Sequence, residues 1–168
     1  LLAATVLLCV ASCRDEQGYS TDPAHRLAFS SDTISFDTLS TSVSSSTYSF
    51  LIYNRNKADL RIANAVLAGG DRSPFRLNLD GLAGTSFSDF TVRSGDSLFV
   101  FVEVSVDPRG HDEPFEVRDS LQFFLESGVS QQVQLCAYGQ DAIVLRGQVF
   151  DTDKRLTARR PYLIYDSL

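Results

Sequence analysis

Leu98-Phe99-Val100-Phe101-Val102-Glu103-Val104-Ser105-Val106 is the stretch whose reading decides the fold. Leu98, Val100, Val102, Val104 and Val106 alternate, so an extended chain sets all five on one face. Phe99 and Phe101 begin the other face, and Glu103 and Ser105 continue it. That second face therefore turns from apolar to polar, as expected of a strand leaving a covered region. No window of the chain carries a convincing helical period, and strand-like runs extend from this one in both directions.

Upstream, Phe75-Arg76-Leu77-Asn78-Leu79 alternates throughout and stops at Asp80-Gly81. Leu60 to Val66 alternates in part and stops at Gly69-Gly70-Asp71, and Phe90-Thr91-Val92 leads to the turn Ser94-Gly95-Asp96. Leu27-Ala28-Phe29, Ile34-Ser35-Phe36 and Tyr48 to Tyr53 are further runs, the last ending in Asn54-Arg55-Asn56-Lys57, whose Asn residues suit a turn. Downstream, a loop bounded by Pro108 and Pro114 precedes Val117–Leu125 and Val129–Tyr138, a hairpin across Glu126-Ser127-Gly128. Runs of this length and spacing predict an all-β chain: an antiparallel, immunoglobulin-like β-sandwich of about seven to nine strands.

Composition agrees. With 12 Phe, 6 Tyr and no Trp or Met, the aromatic content is weighted toward strand formers. The 43% apolar and 21% charged residues fit a folded domain, and 168 residues suit one medium domain with a short appendage. A net charge of −6, with basic residues scattered apart from Lys154-Arg155 and Arg159-Arg160, argues against a nucleic-acid groove.

The first ten residues, Leu1 to Val10, are an apolar run of the length of a signal-peptide core and about half what a membrane-spanning helix needs. The run ends abruptly in Val10-Ala11-Ser12-Cys13, which resembles the lipobox of bacterial lipoproteins. The resemblance implies cleavage before Cys13 and acylation of that residue, giving a membrane anchor; stable anchoring takes two or more acyl chains. Arg14-Asp15-Glu16 is similar to the signal that follows the lipidated Cys in Bacteroidota lipoproteins exported to the outer face of the outer membrane. With Cys9 removed and Cys13 acylated, Cys136 stands alone on a predicted strand and has no disulfide partner. The chain opens on Leu rather than Met and closes on Tyr162–Leu168, which reads like the start of a strand, so a longer gene product is expected. The expected organisation is a signal peptide over 1–12, the acylated Cys and a tether over 13–25, the sandwich over 26–140, and a linker with the start of a further β domain over 141–168.

A second resemblance rests on Asn54 to Ile62, then Gly69-Gly70, Ser73-Pro74-Phe75, Gly95 to Leu98, and the closing Leu135-Cys136-Ala137-Tyr138-Gly139. This pattern is similar to immunoglobulin-like domains of the Hydin and abnormal-spindle type. Asn56 stands where that family often carries Gly, and Asn also tolerates a left-handed turn. Ile143–Phe150 and Tyr162–Leu168, joined by Asp151–Pro161, resemble the opening of the parallel β-helix that such a sandwich precedes in Bacteroidota proteins.

Little in the sequence suggests chemistry. His25 lies in the tether and His111 in a charged loop, with no metal-ligand spacing, and no cofactor is expected. Asp151-Thr152-Asp153 lacks the rest of a calcium loop, Gly69-Gly70-Asp71 lacks the Lys and helix of a phosphate cradle, and no nucleophile elbow occurs. Asp112 and Glu113 are adjacent, which does not put two carboxylates on opposite sides of a sugar. Tyr48, Tyr53 and Tyr138 are candidate glycan contacts, since exposed aromatic faces can stack on pyranose rings. The leading expectation is a non-catalytic, lipid-anchored outer-membrane module acting as a spacer or presentation domain. A carbohydrate-binding or adhesive module with a glycan or protein ligand is the alternative, and a polysaccharide-active enzyme with its active site beyond residue 168 a further one.

Overall fold

The alternating stretch becomes a strand over Ser97–Val104, and its Val100, Val102 and Val104 are fully buried. The computed structural model describes residues 18–166. In chain order its strands are β1 (Ala28–Phe29), β2 (Thr33–Ser40), β3 (Tyr48–Tyr53), β4 (Leu60–Leu67), β5 (Phe75–Leu79), β6 (Leu82–Gly84), β7 (Ser86–Val92), β8 (Ser97–Val104), β9 (Phe115–Leu125), β10 (Ser130–Gln140), β11 (Ile143–Arg146) and β12 (Tyr162–Tyr165). One five-stranded sheet has the order β1-β3-β8-β5-β6, and the other β2-β10-β9-β4-β7. Every pairing in these two sheets is antiparallel except that of β2 with β10, which is parallel. The chain crosses from the first sheet to the second between β1 and β2, which brings β2 alongside β10 in the same direction.

The two inner faces make the core. Ile52, Phe75, Leu79 and the β8 valines come from one sheet, and Ile62, Leu121, Phe123 and Leu135 from the other. Each such side chain contributes about 1.5–3 kcal/mol on burial. Two aromatic pairs bridge the sheets, Phe29 to Phe123 with centroids 5.3 Å apart and Phe36 to Phe75 at 6.1 Å. Such pairs contribute about 0.5–1.5 kcal/mol beyond their area burial.

Asn54, 1% exposed, latches the end of β3 to its neighbours. Its side-chain amide donates to the carbonyls of Ala58 (2.9 Å) and Val92 (2.8 Å), and its Oδ1 accepts from the backbone N–H and side-chain amide of Asn56. The Asn-rich turn of the sequence is thus a cross-sheet tie. At the other end Gly139 is tightly packed, because a Cβ there would lie 2.7 Å from Val106 Cγ1 and 2.9 Å from Phe115 Cζ.

Four elements differ from the sequence reading. Asp80-Gly81, read as a strand end, is a hairpin turn with φ of 48° and 91° that pairs Leu79 with Leu82 and creates β6. Strand β7 starts at Ser86, earlier than Phe90. The Ile143–Phe150 run stops at Arg146, where Gly147 takes a φ of 54°. Finally, Phe99 and Phe101 are not covered: they are 49% and 39% exposed on the outer face of the first sheet.

Residues 18–25, expected as free tether, lie against the sandwich. Ser20 N–H donates to Asp59 O at 2.9 Å, Ser20 Oγ and His25 Nδ1 are 2.7 Å apart, and the Arg61 guanidinium covers the Tyr19 ring at 5.1 Å.

Candidate functional site

The loop between β8 and β9 organises the end of the sandwich from which β11 departs. Gly110, with φ of 77°, lets three successive backbone N–H groups turn toward one point. Arg109, Gly110 and His111 donate to the Asp141 carboxylate at 3.1, 2.6 and 3.1 Å. Asp141 is 2% exposed. Burial raises its pKa, and the three N–H groups together with the Thr41 hydroxyl outweigh that effect and hold it below its ordinary value. The same loop is gripped from its outer side. Arg160 Nε donates to Asp112 Oδ1 at 2.6 Å and its Nη2 donates to Gly110 O at 2.9 Å, while Arg159 pairs more loosely with Asp112 at 3.7 Å. One loop therefore ties the sandwich, the exit of β10 and the segment before β12 together.

Beyond this tie β11 and β12 pair in parallel and in register, from Ile143 with Tyr162 to Arg146 with Tyr165, so that each residue meets the one nineteen positions on. Leu145 is buried, while Val144 and Ile164 are half exposed. The Arg146 guanidinium lies 4.6 Å from the Tyr165 ring centre. The crossover between them contains no helix.

The sequence candidates scatter. Cys13, Arg14, Asp15 and Glu16 lie outside the described residues. Tyr48 sits at the rim of the inner face, its ring 4.7 Å from that of Phe36. Tyr53 points out of the first sheet beneath the Arg55 guanidinium, and Tyr138 stands on the outer face of the second sheet. The three tyrosines occupy three different surfaces and form no common platform. Cys136 is half-buried, its thiol 3.7 Å from Ile34 O. Among the described residues no group of three His, Cys, Asp or Glu is placed to hold a metal, and no helix is long and apolar enough to cross a membrane.

Sequence reasoning missed Asp141, which it placed in a linker, and Arg160, which it placed in a solvated basic pair. The Pro-bounded loop with an internal Gly was the available signal for the cluster of N–H groups that Asp141 fills. It also missed that Phe99, Phe101 and Arg76 share an open face.

The two packed sheets define the class: an all-β protein built on an immunoglobulin-like sandwich. No family model matches the chain, and no curated protein matches it in sequence. Among solved structures it is similar to the ASH/PapD-like domain 7 of human CEP192, with 12% identity, 84% of this chain and 96% of that chain covered, and a TM-score of 0.43. The N-terminal domain of PorA is similar at 9% identity over 69% of this chain and 97% of that one, with a TM-score of 0.43. A family 123 glycoside hydrolase from Clostridium perfringens aligns at 6% identity over 72% of this chain but only 30% of its own length, with a TM-score of 0.48. These likenesses concern the fold alone.

Proposed function

We propose that the chain is a non-catalytic module, anchored by lipid at the outer-membrane surface, that presents a following domain away from the bilayer. Cys13 accepts the acyl chains, Arg14-Asp15-Glu16 directs export, and the sandwich is the rigid body between anchor and cargo. The observation that carries the spacer reading is the double tie at the Pro108–Pro114 loop. Asp141 fixes the loop to the end of β10, and Arg160 fixes the segment before β12 to the loop. A module that only tethered its cargo would have no use for such a joint, since a polar linker suffices. The parallel β11–β12 pair also supports the reading, because its half-exposed Val144 and Ile164 suit a further parallel strand, as in a β-helix.

The test is fractionation of cells expressing the full chain in a Bacteroidota host, combined with protease treatment of intact cells. The wild-type chain is expected in the membrane fraction and open to protease. Cys13→Ala is expected to move to the soluble fraction, and replacement of Arg14-Asp15-Glu16 by alanines to protect the chain from protease. Retention of Cys13→Ala in the membrane would overturn the anchor, and protection of the wild type would overturn surface exposure.

A further inference from the structure

The outer face of the first sheet holds two exposed aromatic rings and the Arg76 guanidinium, and Arg72 and Arg109 line a cleft that Arg76 shares. Phe99 and Phe101 stand next to each other on β8 with ring centroids 5.9 Å apart and planes within 15°. Their exposure is a cost unless something covers them. Beside Phe101 runs a groove of about 230 Å³ to which Asn78, Glu103 and Arg76 contribute. The register explains the grouping, since Asn78 pairs with Phe101 and Arg76 with Glu103 across β5 and β8. Arg76 also lines a second cleft of about 550 Å³, shared with Arg72, Arg109, Asp71 and Asp107. Arg76 is thus common to both depressions.

Arg72, Arg76 and Arg109 form none of the ion pairs found among the described residues, and Asp71 and Asp107 line the same cleft. Two of the arginines are already oriented. Arg76 Nη1 donates to the carbonyls of Ser73 (2.7 Å) and Phe75 (2.9 Å), and the Arg109 guanidinium lies 4.2 Å from the Phe115 ring centre. Their remaining N–H groups are held in place before any ligand arrives, which lowers the entropy lost on binding.

Each part selects a chemistry. An exposed aromatic ring takes the C–H face of a pyranose, and Asn78 and Glu103, whose Oδ1 and Oε1 accept from Gly81 N–H and the Thr47 hydroxyl, offer their other polar atoms to ring hydroxyls. A guanidinium fork takes a carboxylate through two parallel hydrogen bonds. A neutral sugar would leave the arginines unused, and a simple anion would leave the phenylalanines bare. We propose that this face binds an acidic glycan, a chain of uronic-acid sugars, with a pyranose on Phe101 and carboxylates at Arg76 and its arginine neighbours. Asp71 and Asp107 accept hydroxyls of the same chain and discriminate against bare polyanions.

The test is isothermal titration of the full chain with hexamers of galacturonate, mannuronate and glucuronate, a neutral galactose hexamer, and inorganic phosphate. At least one uronate hexamer is expected to bind at sub-millimolar concentration, with affinity falling as salt rises. The neutral hexamer and phosphate should bind at least tenfold more weakly. Phe101→Ala and Arg76→Ala should each weaken the uronate at least tenfold with an unchanged far-UV spectrum, while Phe101→Tyr keeps most of the affinity. The proposal is overturned if no uronate hexamer binds below 1 mM, if the neutral hexamer or phosphate binds equally well, or if affinity survives both alanine substitutions. None of these outcomes depends on the anchor at Cys13.

Discussion

Replacing Asn54 by Ala removes a tie that no neighbouring side chain can replace. The amide makes four hydrogen bonds, two donated to Ala58 O and Val92 O and two accepted from Asn56. In Asn54→Ala the buried Val92 carbonyl and the half-buried Ala58 carbonyl and Asn56 N–H lose partners. Leaving a buried polar group unsatisfied costs about 1–3 kcal/mol, which with the two half-buried groups sets the loss at about 3 kcal/mol. For a domain of this size that lowers Tm by about 6–12 °C. Asn54→Asp is the sharper variant. It keeps the volume and both acceptor sites, but its carboxylate faces two carbonyl oxygens that need a donor. At neutral pH it should be at least as unstable as Asn54→Ala, and protonation in acid should restore part of the loss by supplying one O–H donor. Thermal unfolding followed by circular dichroism between pH 3 and pH 8 reads both effects. A Tm within about 2 °C of wild type for both variants would refute the assignment of Asn54 as a buried latch, and so would an Asp variant that weakens in acid in parallel with wild type.

Two further stability predictions follow from the close packing and the buried carboxylate at the exit of β10. Gly139→Ala pushes a methyl into Val106 and Phe115 and should cost about 1–3 kcal/mol by overpacking, while Gly18→Ala, in open space, should be neutral; urea midpoints distinguish them. Asp141 has a pKa held below its unfolded value, so its contribution is fully present above about pH 4 and is lost as pH falls through the folded value. Asp141→Asn should therefore be less stable at pH 7, with a flatter fall in Tm toward pH 2 than wild type. It should also be cut faster by limited proteolysis between residues 107 and 114, and equal acid slopes would count against the carboxylate.

The sandwich was legible wherever a strand has one covered face, because burial then writes a period of two into the residues. Phe75–Leu79 and Ser97–Val104 are such strands, with Leu77 and Val102 inward and Arg76 and Glu103 outward. Strand β6 escaped notice because Leu82, Ala83 and Gly84 are too few to show any period, although Asp80-Gly81 is a turn pair that makes hairpins. Alternation also says nothing about what lies over the second face, which is why Phe99 and Phe101 read as covered. The polar clusters were harder still. Asp141 meets Arg109 to His111 across some thirty residues, and Arg160 meets Asp112 across forty-eight, and only folding sets such partners side by side. The resemblance to a lipobox differs in kind, since Val10-Ala11-Ser12-Cys13 reads as a local word that needs no partner elsewhere.

The outer strands of the sandwich have a bearing on crowding. Strand β1 has two residues and β6 three, β7 is interrupted by Asp89 at a φ of 63°, and β2 carries Asp37 and a register shift against β10. Each margin is thus too short, too bent or too charged to accept a strand from a neighbouring copy. Under the proposed lipid anchor the molecules would share a membrane plane and meet far more often than the same number in solution, and lateral strand exchange would fuse them into sheets. With these margins the sandwich can stand densely packed beside its own kind and remain a separate molecule.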